Sequence, residues 1–174
     1  KIQESITTTI RNTTIDDTIG KGIDIEAFDT SRVTLDVIGS TLSNNGAGLL
    51  DVLANDQAVA SSTLTSNTLI NPANHAITLL SKATNSTDNA RVGATLTSNQ
   101  FQVLSGALRA TSDTDDGLAE LRLNMTNNTS NGLYLLEQLE APPGTATITL
   151  FDGGGNSPTQ TTSGMIGTAT TALD

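Results

Sequence analysis

Apolar and polar residues alternate over several short stretches of the chain, as expected of strands that bury one face. In residues 92–97, 119–125 and 146–150, every second side chain is apolar. Residues 23–27 and 33–37 alternate in the same way on either side of a turn at residues 29–32. Two alternating runs joined by a short turn predict a half-buried β-hairpin.

Four further stretches carry a weaker signal. Residues 76–80 and 101–108 predict strands, whereas the leucine-rich residues 47–54 and 132–140 fit either a strand or a helical turn. No repeat of 20 to 50 residues stands out, which argues against a solenoid. About eight short strands separated by turns therefore predict an all-β fold, namely an antiparallel β-sandwich of jelly-roll or immunoglobulin-like topology, with a partly closed barrel as the nearest alternative.

The start of the chain has a distinct pattern. Residues 7–9 are threonines between isoleucines, and β-branched residues favour an extended segment over a helix. A glycine hinge at residues 20–22 then separates an extended N-terminal arm, residues 1–20, from a β-sandwich body, residues 21–174. The arm either adds a strand to the sheet of a neighbouring subunit or forms the first strand of its own sheet. The side chains predicted to mediate self-assembly are Ile2, Ile6, Ile10, Ile15 and Ile19.

The composition restricts both the core and the partners. Of the 174 residues, 36% are apolar but 2% are aromatic, so the core must consist of small aliphatic side chains and gains from contacts with neighbours. The formal net charge of -10 opposes binding to nucleic acid, since that affinity depends on basic groups that release counterions. No stretch approaches the apolar length that a membrane span requires.

The sequence offers little for catalysis. It contains no cysteine, and a lone histidine cannot form a multi-histidine metal site, which argues against thiolate chemistry and most zinc sites. His75 is predicted to be a surface or hydrogen-bonded structural residue, and residues 152–155 a flexible turn. No G-x-S-x-G or S-x-x-K motif surrounds the many serines. We therefore expect no enzymatic activity, no catalytic residue and no bound organic cofactor.

Two acidic stretches are candidate sites. Residues 113–117 resemble the start of a calcium loop, which predicts a loose Ca²⁺ site formed by Asp113, Asp115 and Asp116, although an acidic turn in water has the same sequence pattern. Residues 16–29 contain a second acidic region. It forms either the solvent face of a strand or an electrostatic partner for a basic surface on a neighbour.

Three features indicate an extracellular protein. The chain begins at Lys1 without an initiator methionine, as after removal of a signal peptide, and it has few lysines in a surface of Thr, Ser, Asn and Asp. It also contains five sequons, a number close to chance for this composition, which would make it a glycoprotein in a glycosylating secretory route. The candidate N-glycosylation sites are Asn12, Asn85, Asn124, Asn127 and Asn128.

In this layout the chain resembles the secreted, self-polymerising β-sandwich subunits of pilus-like or biofilm filaments, in which an N-terminal donor strand completes the next subunit. The resemblance implies a structural role, a homopolymer as the functional form and no catalysis. We therefore expect an extracellular structural subunit that assembles into a filament or surface layer through its N-terminal arm. The alternatives are a Ca²⁺-dependent or glycan-binding adhesive module, and a viral or phage capsid-decorating or tail subunit.

Overall fold

The computed structural model describes residues 4–103, 106–140, 142–157, 161–163 and 167–168. In this part of the chain every regular element is a strand, and the strands pair in parallel. Numbered β1 to β18 in chain order, they form three sheets, A, B and C. The chain passes through the three sheets in turn, and it therefore winds as a parallel β-solenoid of about 5 turns.

Each sheet collects one strand from each turn. Sheet A consists of β1 (Ser5–Arg11), β4 (Arg32–Ile38), β7 (Val59–Thr65), β10 (Asn89–Thr97), β13 (Leu118–Thr126), β16 (Thr145–Asp152) and β18 (Gly167–Thr168). Sheet B consists of β2 (Thr14–Asp16), β5 (Thr41–Ser43), β8 (Thr68–Ile70), β11 (Gln100–Gln102) and β14 (Thr129–Ser130). Sheet C consists of β3 (Ile23–Ala27), β6 (Leu50–Asn55), β9 (Ile77–Ala83), β12 (Gly106–Thr114), β15 (Leu133–Glu140) and β17 (Thr161–Ser163).

Successive turns are stacked in register. Ser5 pairs with Arg32, and Arg32 pairs with Val59, so that paired residues are 27 positions apart. The same separation holds for hydrogen bonds at the first corners, from Thr13 to Ser40 and from Thr18 to Asn45. The next separation is longer, because residues 84–88 form an additional loop between β9 and β10. The Asp88 carboxylate closes this loop by accepting hydrogen bonds from the backbone N–H of Thr84 (3.1 Å) and of Asn85 (2.8 Å).

The core runs along the axis of the solenoid. Along β4, β9 and β13, inward residues are buried and most outward residues are partly exposed, as the period of two requires. Leucine, isoleucine, valine and alanine fill most of this core, and each large aliphatic side chain that is fully buried contributes about 1.5 to 3 kcal/mol. Phe101 and Tyr134 add one aromatic pair, edge to face, with their ring centroids 5.9 Å apart.

The corner between sheets A and B has the same geometry in five successive turns. Its first residue adopts a left-handed conformation, which Gly, Asn and Asp tolerate best. These residues are Asn12 (φ 50°), Gly39 (φ 58°), Ser66 (φ 56°), Ser98 (φ 57°) and Asn127 (φ 54°). In the later turns the residue that follows is an asparagine whose side chain bonds to a neighbouring turn. We call Asn67, Asn99, Asn128 and Asn156 the asparagine ladder.

The structure corrects the predicted architecture. The all-β class is confirmed, but the antiparallel β-sandwich is wrong, because the sheets are parallel and coil into a solenoid. The exclusion of a solenoid is wrong for the same reason. The predicted hairpin is also wrong, since β3 and β4 lie in different sheets and each pairs with the strand one turn later. Alternation did not reveal this, because a strand with one buried face has a period of two whether its neighbours are parallel or antiparallel.

Donor-strand complementation in a β-sandwich is likewise wrong. Residues 5–11 form β1, which pairs in parallel with β4 of the same chain. Residues 14–16 form β2, which pairs with β5. The predicted arm thus contributes the first strand of sheet A and the first strand of sheet B.

Individual strands agree better with the pattern. The stretches 92–97, 119–125 and 146–150 lie within β10, β13 and β16. Most of residues 76–80 lie in β9, and 101–108 divides between β11 and β12. The two ambiguous leucine-rich stretches contain the strands β6 and β15 rather than helical turns. In the described residues, no helix has the length and apolar character needed to cross a membrane.

Candidate functional site

Among the residues that the structure describes, no further turn covers the inward side chains of the first turn. In β1 the side chains of Ile6 and Ile10 point inward, in register with Val33 and Val37 of the next turn. Ile15 on β2 and Ile25 on β3 occupy the corresponding inward positions of the other two sheets. Ile6 is 57% exposed, whereas Val33 directly beneath it is 8% exposed. We call these four isoleucines, Ile6, Ile10, Ile15 and Ile25, the open end.

The open end includes three of the five isoleucines predicted to mediate self-assembly. Ile19 lies in the bend between β2 and β3 and is fully exposed, so the structure does not bring it into this set. Ile2 lies outside the described residues. Ile25 was not predicted, although its alternation with Asp24 and Glu26 had assigned it to a buried face.

The acidic region of the first turn is tied into the solenoid by polar contacts. Asp16 accepts hydrogen bonds from Ser43 Oγ (2.6 Å) and Asn44 Nδ2 (3.0 Å), which lower the pKa of its carboxyl group. Lys21 Nζ lies 3.0 Å from Asp24 Oδ1 and 3.1 Å from Asp51 Oδ2. The hydrogen bond to Asp24 is the main reason that the pKa of Lys21 is raised. These carboxylates are therefore engaged within the chain.

Positive charge is concentrated on the outer face of sheet A. Of the five arginines of the chain, four project from this face, namely Arg11, Arg32, Arg91 and Arg122. Two carboxylates, Asp36 and Glu120, project from the strands of the same face. Since the whole chain carries a formal charge of -10, this face differs in sign from the rest of the molecule.

Three adjoining clefts on this face form one shallow groove. The first cleft is bounded by Arg32 and Arg91 and lies over Val59, with Gln57, Thr87 and Asn89 at its rim. It shares Arg91 and Val59 with a second cleft that extends to Arg122. The third continues over Ser61 and Gly93 to Thr95. We call the continuous depression from Arg32 through Arg91 to Arg122 the arginine groove.

Two of these arginines share one carboxylate. Arg91 Nε lies 3.4 Å from Glu120 Oε2, and Arg122 Nη2 lies 2.7 Å from Glu120 Oε1. Among the residues that the structure describes, Arg32 forms no salt bridge. The groove thus retains positive charge at both ends. The sequence shows single arginines in three alternating strands, but the register is needed to bring them together.

The predicted Ca²⁺ residues do not form a cluster. Asp113 points outward from β12, while Asp116 lies in the following turn, where its Oδ1 accepts a hydrogen bond from the backbone N–H of Gly117 (2.8 Å). Asp115 is exposed in the same turn. Within the described part of the chain, no three His, Cys, Asp or Glu side chains come together as a group that could hold a metal ion.

The five sequons have different environments. Asn12, Asn85 and Asn127 are exposed, and Asn124 is partly buried on β13. Asn128 is fully buried in the asparagine ladder, where its amide donates to Leu96 O (2.8 Å) and Asn156 Oδ1 (2.9 Å). A glycan on Asn128 is therefore incompatible with the folded solenoid.

His75 lies at the corner that leads into β9. Partial burial, together with the positive charge of Arg109, lowers the pKa of the His75 imidazole, although the carboxylates of Glu137 and Asp51 oppose this effect. Gly106 lies directly against the ring, and any Cβ at this position would collide with it. The histidine is thus packed into the corner, as expected of a structural residue.

Comparisons with family models, curated proteins and solved structures found no match for this chain.

Proposed function

We propose that the chain is a structural subunit of an extracellular assembly and that two copies associate through the open end. The observation that carries the proposal is the exposure of Ile6. Its column continues along sheet A through Val33, Ala60, Val92 and Leu121, all of which are buried. Ile6 therefore has the environment of a core residue on one side and solvent on the other.

The backbone at the open end supports the same proposal. In the described part of the chain, β1, β2 and β3 each form the outermost strand of their sheets. An outermost strand presents N–H and C=O groups without a strand partner and is a template for pairing with another chain. Here three such edges lie at the same end of the solenoid. A partner that pairs with them would also cover the four isoleucines.

A second copy of the chain is the partner that fits best. The three edges follow the cross-section of one turn of this solenoid, and another turn of the same chain has the same cross-section. Burial of this exposed apolar area in the contact would stabilise the assembly by about 25 cal/mol per Å². The surface of Thr, Ser and Asn with three lysines supports an extracellular location.

The test compares two charge substitutions on the same strand. Ile6→Lys introduces a charge at the open end, whereas Thr7→Lys introduces the same charge on the outer face of β1. We expect light scattering to show the wild-type chain and Thr7→Lys as assemblies, and Ile6→Lys as a monomer of 17.9 kDa with an unchanged circular dichroism spectrum. A wild-type chain that remains monomeric at high concentration would overturn the proposal, as would assembly of Ile6→Lys to the wild-type mass.

A further inference from the structure

We propose that the arginine groove on sheet A binds an anionic polysaccharide. This inference is independent of the open end, since the groove crosses the middle turns of the solenoid. Arg32 and Arg91 lie two strands apart, each in register with Val59 between them, so their strands are separated by about 9.5 Å. Two cations at this spacing can both contact one extended anionic polymer.

The available charge fits carboxylate or sulfate groups. Guanidinium groups bind such anions through paired hydrogen bonds, with a geometry that lysine does not provide. Arg32 forms no salt bridge with any described residue, and Glu120 neutralises one of the two charges of Arg91 and Arg122. Arg32 can therefore compensate a bound anion at one end of the groove, and Arg91 and Arg122 together carry one positive charge more than Glu120 neutralises at the other.

Gly93 provides a second, independent observation. It lies in the interior of β10, between Ser61 of β7 and Arg122 of β13. A Cβ at position 93 would meet only Ser61 Oγ, at an ordinary contact distance of 3.8 Å, so packing does not require glycine. Glycine within a strand weakens the sheet and often marks a place where a ligand approaches closely. Here it keeps the floor of the groove open.

The groove suits a sugar polymer better than a nucleic acid. Its floor and rim carry hydroxyl and amide groups, among them Ser61, Thr87 and Asn89, which can bond to sugar hydroxyls. None of its lining residues is aromatic, whereas proteins that bind single-stranded nucleic acid usually stack bases on aromatic rings.

The binding experiment uses polygalacturonate and dextran sulfate as probes and neutral dextran as the uncharged control. The double variant Arg32→Gln, Arg91→Gln removes two charges from the groove. The matched control is Arg109→Gln, which removes an exposed arginine from sheet C, where it lies 2.6 Å from Glu137. We expect calorimetry to show binding of a charged probe, a loss of about tenfold or more in the double variant, and little change in Arg109→Gln.

The variant Gly93→Val distinguishes a loss of binding in the groove from a loss of fold stability. A β-branched residue favours the strand, so we expect the melting temperature of this variant to equal or exceed that of the wild-type chain. Because valine fills the floor, we also expect binding to be lost.

Tighter binding of polygalacturonate would identify uronate carboxylates as the ligand groups, and tighter binding of dextran sulfate would identify sulfates.

Four results would overturn the proposal. These are the absence of binding to both charged probes, an equal loss in Arg109→Gln, unchanged binding in a folded Gly93→Val variant, and binding of single-stranded poly-dT at least as tight as that of the charged glycans.

Discussion

The side chain of Asn99 joins two turns of the solenoid by accepting two hydrogen bonds from Asn67. Asn99 Oδ1 lies 3.0 Å from the backbone nitrogen of Asn67 and 3.0 Å from its Nδ2. The Asn99 amide then donates to Leu64 O (2.9 Å) and to Asn128 Oδ1 (3.0 Å). Both asparagines are buried, so each of these groups depends on the ladder rather than on water.

Replacing this residue should destabilise the whole solenoid. Asn99→Ala leaves the backbone N–H of Asn67 without its acceptor and the Leu64 carbonyl without this donor, in a buried corner. We expect the free energy of unfolding in urea to fall by about 2 to 4 kcal/mol, because each unsatisfied buried group costs about 1 to 3 kcal/mol. The neighbouring Gln100→Ala is the control, since this exposed side chain should change stability by less than about 0.5 kcal/mol. Equal stability of the two variants would contradict a structural role for the ladder.

A buried hydroxyl in sheet A should be dispensable. Ser62 points inward and is 3% exposed, and its Oγ has no hydrogen-bond partner among the described residues. We expect Ser62→Ala to raise the free energy of unfolding by about 1 kcal/mol, because it removes an unpaired polar group. Ser81→Ala provides the comparison, since Ser81 Oγ donates to Ala90 O at 2.9 Å and its loss should destabilise the fold. The prediction fails if both substitutions lower stability equally.

The single histidine should make stability depend on pH near neutrality. Because burial lowers the pKa of His75 in the folded chain, the unfolded chain takes up a proton first as the pH falls below about 6.5. Stability is therefore fully present above the unfolded pKa and decreases as the pH falls towards the folded pKa. We expect His75→Gln to show a smaller loss of stability than the wild-type chain between about pH 7 and 5.5. The imidazole resonance in NMR checks this directly, and a titration midpoint at or above the ordinary histidine pKa of about 6.5 would contradict it.

The repeat that defines the fold is visible in the sequence, but only a few positions of each turn carry similar residues. Ser40-Thr41-Leu42 and Asn67-Thr68-Leu69 occupy the same corner of successive turns, and Asn99-Gln100-Phe101 follows in the next. The first two are separated by 27 residues, whereas the additional loop at 84–88 changes the next separation. A search for a constant period therefore loses the pattern. The strands themselves do not restore it, because many small aliphatic residues are interchangeable at inward positions.

The candidate surfaces differ in how far the sequence predicts them. Three isoleucines of the open end, Ile6, Ile10 and Ile15, are among the five predicted from the sequence to mediate self-assembly, whereas Ile25 is not. The arginine groove was missed, because Arg32, Arg91 and Arg122 are far apart along the chain and meet through the stacking of β4, β7, β10 and β13. Their proximity depends on the length of the intervening loops, which no local pattern specifies.

The corners of the solenoid have unequal freedom to change. From sheet A to sheet B, two residues separate the strands in each of the first five turns, and the asparagine ladder occupies this corner in the later ones. From sheet C to sheet A the connection varies, and residues 84–88 extend it without disturbing the parallel pairing of β7 with β10. Thr87 of this loop lies at the rim of the arginine groove, where its carbonyl accepts a hydrogen bond from Gln57 Nε2 (3.3 Å). Insertions at this corner can therefore change the rim of the groove while the coil beneath it stays the same.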